Sequence, residues 1–313
     1  MKKRDKLIKS GGIVTDKEMP IALLGISGVE QYGIKKVYGN ILNAVTLDFL
    51  NMVTHRARER WMSQIDIDGR EITWTMLEEI WAEIPNMFNT IIISEYEIRK
   101  FFEKKFRKKY GNSALIYKHM KNIGTISLDG LIPVRYEKDG KKCWHHLDVT
   151  GGFAEVHCTT DDDLPEWYEK FREIIDKGKL KGEEKRIFIV RFIGTWGFNF
   201  ALNVLNDRVR IFPSRFYKNL SPNARQLFRM ISARKNKRGT FTLQQLHKLF
   251  KWVGDWGNIL KQISDIEKIW EELKASENRF IHWFNRKNEG EEIEWSYERN
   301  EDWFYLPKKK GNV

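Results

Sequence analysis

Between residues 99 and 109 the chain carries Arg99, Lys100, Lys104, Lys105, Arg107, Lys108 and Lys109 against a single acid, Glu103. Cations that dense repel one another unless an anion neutralises them, and a row of phosphates matches a row of bases. Just beyond, Asn112, Ser113, Tyr117, Lys118 and Lys121 add donors, acceptors and charge of the types that contact phosphates and base edges. A looser basic group follows at Arg225, Arg229, Arg234, Lys235, Lys237 and Arg238. The ordinary readings are a solvated helix face for the first group and a dipole-complementing helix end for Arg234 and Lys235.

Cys143, His145, His146, His157 and Cys158 raise metal chemistry. If Gly151-Gly152 is a two-residue hairpin turn, His145 faces Cys158 and His146 faces His157, with Asp148 opposite Glu155. One face then holds Cys143, His145 and Cys158, and the other His146, His157, Asp148 and Glu155; both sets contain zinc or divalent-ion ligand types. The spacing matches no standard zinc signature, and Leu147, Val149, Ala154 and Val156 fit ordinary burial of the cysteine face. No metal or other cofactor is therefore expected. His146-Leu147-Asp148 followed by Tyr168 is similar to the histidine motif and tyrosine nucleophile of rolling-circle nicking enzymes, without their usual pair of histidines around one apolar residue. No Walker loop, dinucleotide fingerprint, nucleophile elbow or helical zincin motif is present, and a non-enzymatic protein is expected.

The elements that must carry these residues belong to a chain of 313 residues with net charge +12. Its 12 Trp and 19 Phe exclude a wholly disordered chain, and its length suits two domains. No run approaches the roughly 18 apolar residues of a membrane span, and the amino terminus lacks the apolar core of a secretory signal. Two cysteines suit a reducing cytoplasm. Excess positive charge with many aromatics makes double-stranded DNA the leading partner, with RNA open and no membrane.

Periodicity divides the chain into a basic, weakly structured segment at 1–39, a first domain at 40–176, a charged linker at 177–186, a second domain at 187–306 and a basic tail at 307–313. In the first domain, apolar residues from Ile41 to Val53 predict a helix that continues into His55, Arg56, Arg58 and Arg60. A strand at 64–67 turns at Asp68-Gly69, and Thr73 or Thr75 opens a helix ending at Pro85. Ser94 with Glu97 caps the basic helix, Asn112 or Ser113 caps the next, and strands follow around turns at Asp129-Gly130, Asp139-Gly140 and Gly151-Gly152. A helix is predicted near residues 167–175. Strands at 187–193 and 198–205 lead to Ser221-Pro222, which caps a helix through Ser232. Thr240 to Thr242 opens the next helix, and a third runs from 258 to 274, its polar face dominated by Asp265, Glu267, Glu271 and Glu272. A hairpin at 280–297 has its tip at Lys287 to Gly290. Helix, helix, helix and hairpin thus occur twice, which predicts an α+β fold of two winged-helix domains.

The stretch from Phe212 to Ser232, with Leu220-Ser221 leading into Arg225, Leu227 and Phe228, resembles the start of the carboxy-terminal winged helix of plasmid replication initiator proteins. Phe241-Thr-Leu-Gln-Gln-Leu246 resembles that family's second helix, and residues 263–273 with the hairpin at 280–297 resemble its third helix and wing. The resemblance covers about residues 205–300. It implies sequence-specific binding of origin repeats, a homodimer exchanging with a monomer, and replication proteins as partners. The acidic third helix departs from a groove reader. A winged-helix transcription regulator and a metal- or tyrosine-dependent nicking enzyme are the alternatives. Phosphate anchoring is assigned to Arg99, Lys100, Lys104, Lys105 and Lys108, groove reading to the helix from Asn112 to Lys121, and clamping to the second domain, with the linker setting the site spacing.

Overall fold

The computed structural model describes residues 13–16, 34–38, 44–64, 72–83, 89–106, 109–160, 186–206, 209–212, 219–234, 236–250, 259–275, 279–289 and 292–300. In chain order its elements are β1 (Ile13–Asp16), β2 (Ile34–Tyr38), α1 (Ala44–Gln64), α2 (Trp74–Glu83), β3 (Thr90–Ser94), α3 (Glu95–Phe106), α4 (Ser113–Gly124), β4 (Ser127–Lys138), β5 (Lys141–Gly152), β6 (Ala154–Thr160), β7 (Arg186–Phe192), α5 (Gly194–Leu205), β8 (Val209–Phe212), α6 (Pro222–Ala233), β9 (Arg238–Thr242), α7 (Leu243–Phe250), α8 (Ile259–Lys274), β10 (Ile281–Glu289) and β11 (Glu292–Arg299). The class is α+β, and the strand pairs are antiparallel.

A short strand leading straight into a capped helix organises the chain twice. At the β3–α3 junction Glu97 N–H donates to Ser94 Oγ at 3.1 Å while Ser94 N–H donates to the Glu97 carboxylate at 3.0 Å. At the β9–α7 junction Gln245 N–H donates to Thr242 Oγ1 at 3.2 Å and Thr242 N–H to Gln245 Oε1 at 3.1 Å. Each reciprocal cap satisfies two otherwise orphaned donors and fixes where strand becomes helix. Each strand then joins a three-stranded sheet of matching connectivity, β3-β7-β6 in the first unit and β9-β11-β10 in the second. The helix before the strand, the two helices after it and the closing strand pair complete a unit: α1, β3, α3, α4, β6 and β7, then α6, β9, α7, α8, β10 and β11.

The first unit differs from its sequence reading in which strands pair. Lys142 to Val149 does not pair with Phe153 to Thr159; β5 pairs along its whole length with β4, from Ser127↔Gly152 to Lys138↔Lys141, and β6 pairs with β7. The expected Asp139-Gly140 turn is present, both residues having positive φ (52° and 68°), as a tight hairpin turn matched to strand twist requires. Asp129-Gly130 is not a turn but lies within β4, where β2 pairs beside it and shifts register between Ile34 and Lys36. The hairpin β4–β5 is thus inserted between α4 and the sheet strand β6. Residues 161–185, which hold the expected acidic cluster, helix and most of the linker, lie outside the described residues, as do Asp68-Gly69 and the tail at 307–313.

Three further boundaries move. β7, expected in the second domain, is the central strand of the first sheet, paired with β3 and β6. The predicted strand at 198–205 is helix α5, because residues Trp196 to Leu205 are buried on every side and such a run has no period to separate helix from strand. Gly197 permits its close packing: a Cβ there would sit 2.7 Å from the Phe153 carbonyl oxygen and 2.9 Å from the Phe192 carbonyl carbon. The segment expected to be weakly structured contains β1, paired with β8, and β2, paired with β4.

Helix α1 is the centre of the core. Leu47, Phe49, Met52, Val53, Ala57 and Trp61 are buried, and so are the polar Thr46, Asp48, Asn51 and Thr54 around the rest of its circumference. Trp61 packs against Phe192 at 5.4 Å and Phe200 at 6.2 Å between ring centroids. In the second unit Trp270 lies 5.5 Å from Tyr297 and 5.8 Å from Phe284, joining α8 to both hairpin strands. Among the described residues no helix is long and apolar enough to cross a membrane.

Candidate nucleic-acid interface

Helices α3 and α4 share the expected basic surface, but only part of it faces outward. On α3, Ile98, Phe101, Phe102 and Phe106 are buried and Lys100 and Lys104 are exposed. The Lys100 ammonium sits 4.5 Å from the Tyr96 ring centroid. Lys105, assigned to phosphate, is only 6% exposed, and burial with the charge of Lys104 lowers its pKa. Arg99 is turned inward. It binds the buried Glu95 carboxylate and donates to the Tyr110 carbonyl at 2.5 Å and Ser113 Oγ at 2.9 Å. Lys108 lies outside the described residues.

Glu95 organises this corner. Burial alone would raise its pKa, but donation from Ser113 Oγ at 2.6 Å and from Arg99, with the charges of Arg99 and Arg186, holds it below the ordinary carboxylate range. Arg99 and Ser113 therefore hold α4 against α3 and do not reach for DNA. Asn112 caps α4, its Oδ1 accepting from Ala114 N–H at 2.8 Å. The buried stripe Ile116, His119, Met120 and Ile123 has helical spacing. His119 Nδ1 lies 2.9 Å from Thr46 Oγ1, and its ring stacks on Phe49 at 5.1 Å. That stripe turns Leu115, Tyr117, Lys118 and Lys121 outward. Lys121 lies 5.9 Å from the Tyr117 ring. Among the described residues no carboxylate pairs with Lys100, Lys104, Lys118 or Lys121.

In the second unit the expected basic group is largely consumed by structure. Arg225 and Arg229 are buried and engage Asp48 of α1, so neither contacts DNA in this arrangement. Arg234 lies 3.8 Å over the Phe241 ring and donates to the Thr240 carbonyl at 2.9 Å. Lys237 and Arg238 are exposed but meet Glu298 at 2.6 and 2.9 Å. Donation from Lys237 and from Trp283 Nε1, with Arg238, brings the Glu298 pKa down to about 2. Lys235 lies outside the described residues.

The acids of α8 are engaged too. Glu272 accepts from Ser221 Oγ at 2.7 Å, Glu267 meets Arg286 of β10 at 2.9 Å, and Asp265 meets Lys268 at 2.9 Å. The helix expected to repel phosphate thus has much of its negative charge balanced, and its outward residues include Leu260, Lys261, Ser264 and Lys268.

The histidines and cysteines do not converge. Register places His145 opposite Val134, His146 opposite Pro133, His157 opposite Ile189 and Cys158 opposite Phe188. Both cysteines are free thiols, and burial raises that of Cys158. Among the described residues no three His, Cys, Asp or Glu side chains gather as a metal site. Tyr168 lies outside the described residues.

Sequence reasoning missed Glu95 and Asp48, which organise the two basic groups. A single acid beside a basic run carries no local pattern, and Asp48 meets partners 177 and 181 positions away. No family model matches the chain, and no curated protein matches it. Among solved structures, a crystal structure of RctB domains 2-3, RctB-155-483, is 12% identical, covers 73% of this chain and 81% of its own, and aligns with a TM-score of 0.36. A selenomethionine derivative of domains 2 and 3 of RctB is 10% identical, covers 72% and 80%, and gives 0.37.

Proposed function

We propose that the two units are winged-helix domains that together bind double-stranded DNA, with α4 as the groove-reading helix of the first. The observation that carries this reading is the outward row of Lys100, Lys104, Lys118 and Lys121 around Tyr117, while neighbouring Arg99 and Lys105 are held inside. Cations left unpaired on two adjacent helices match two phosphate rows flanking a groove, and a helix of α4's length fits the major groove. Residues 161–185, between β6 and β7, stand where the first wing belongs, and the β10–β11 hairpin is the second wing. Salt-bridged acids on α8 make groove contact by the second unit compatible with its composition.

Within that reading we infer a plasmid or mobile-element replication initiator, on the resemblance of residues 205–300. Recruitment of replication proteins and a homodimer belong to the same proposal, as does binding without catalysis. Fluorescence anisotropy of the full chain with duplex DNA, the same strand alone and an RNA duplex tests the binding step. Tightest binding to duplex DNA is expected; equal affinity for the RNA duplex, or none for any duplex, refutes it. Loss of autonomous replication by a plasmid encoding Lys118→Ala and Lys121→Ala, at unchanged protein level, is the outcome expected of an initiator.

A further inference from the structure

The two units meet through a buried ion triad. Asp48 on α1 is 1% exposed; its carboxylate engages Arg229 of α6 and meets Arg225 at 3.2 Å. Arg225 also donates to the Leu220 carbonyl at 2.8 Å, at the entrance to α6. Desolvation offsets most of the Coulombic gain of a buried pair, whereas leaving one charge alone is costly, so such a group acts chiefly by admitting one arrangement of its elements. The same turn of α1 seats α4. Thr46 meets His119, and Phe49 stacks on His119 and lies 5.5 Å from Tyr110, whose carbonyl receives Arg99. Helix α1 is therefore the common reference for the outward face of α4 and for α6, which packs on α8.

We propose that Asp48, with Arg225 and Arg229, is a positioning lock that fixes α8 relative to α4. The spacing and phase of the two DNA contacts are then set by the α1–α6 interface and not by the length of a linker. The consequence for DNA rests on the duplex-binding reading; the lock itself does not.

Spin labels at Ala114→Cys and Ser264→Cys, exposed positions on α4 and α8, report the geometry in the full chain with Cys143→Ser and Cys158→Ser. Pulsed electron spin resonance is expected to give one narrow distance distribution, and a broad one after Asp48→Asn at an unchanged circular-dichroism spectrum. An equally narrow distribution in Asp48→Asn overturns the lock. If Asp48→Asn fails to fold, Arg229→Gln, which leaves the carboxylate paired with Arg225, is read the same way: broadening supports the lock and an unchanged width overturns it. On duplexes carrying two selected sites at varied separation, the unsubstituted chain is expected to prefer one separation. Asp48→Asn is expected to lose about ten-fold in affinity there while binding a single site unchanged. No preferred separation overturns the proposal for DNA. Absence of any duplex binding overturns the duplex reading, and the spin-label width still decides the lock.

Discussion

Replacing Lys100, Lys104, Lys118 and Lys121 together by glutamine removes four cations from one outward surface and leaves the buried contacts of Arg99, Glu95 and His119 in place. Only the contacts of Lys100 with Tyr96 and of Lys121 with Tyr117 are lost, each worth about 0.5 kcal/mol at an exposed site. The fold is therefore expected to survive. Each phosphate contact contributes about 0.9 to the slope of log affinity against log salt, so the four account for a slope of roughly 3 to 4. Over a rise from about 50 to about 200 mM salt, the unsubstituted chain should lose on the order of a hundred-fold more affinity than the variant. Anisotropy titrations of one duplex across that range measure both slopes. Lys105→Gln, at a buried position, should leave the slope unchanged. A quadruple variant with the unsubstituted slope, or a Lys105→Gln slope lowered as far, refutes the assignment of the outward face.

Other consequences follow from the interior. Glu95→Gln weakens the charged donation from Arg99 and should cost about 2 kcal/mol in urea unfolding, with a smaller loss for Ser113→Ala. Glu298 titrates in the folded chain at about 2 against an ordinary 4.5, so its contribution is complete above about pH 4.5 and is lost as pH falls toward 2. Thermal unfolding of Glu298→Gln should accordingly show a flatter acid limb across that window. Glu59 acts in the same direction: burial would raise it, but His55 and Arg56 bring it to about 2. Gly197→Ala drives a methyl group into the Phe153 and Phe192 backbone and should destabilise by about 2 kcal/mol or more, read as a lowered urea midpoint.

What the sequence made legible was local. Ser94 with Glu97 announced α3, Asn112 the cap of α4, Ser221 with Pro222 the start of α6, and Asp139-Gly140 the hairpin turn; each acts within four residues. The pairing partners were not legible. Gly151-Gly152 reads as a hairpin turn, yet the chain there passes from one sheet to another, because β6 finds its partner in β7, beyond residues 161–185. Helix α5 was hidden because burial on all sides erases the contrast on which periodicity depends. In the interface, charge density located the correct helices but not the direction of their side chains. Arg99, Lys105, Arg225 and Arg229 look in sequence like Lys100 and Lys104, and only long-range partners such as Asp48 turn the arginines of α6 inward.

The central claim is that α4 reads a duplex. Selection of bound duplexes from a random-sequence library, repeated with Tyr117→Ala and Lys118→Ala, tests it most directly. Enrichment of one sequence by the unsubstituted chain, with preference relaxed at a few adjacent base pairs in the variants, is the expected result. Enrichment of no sequence, or of the same sequence undiminished in both variants, would contradict it.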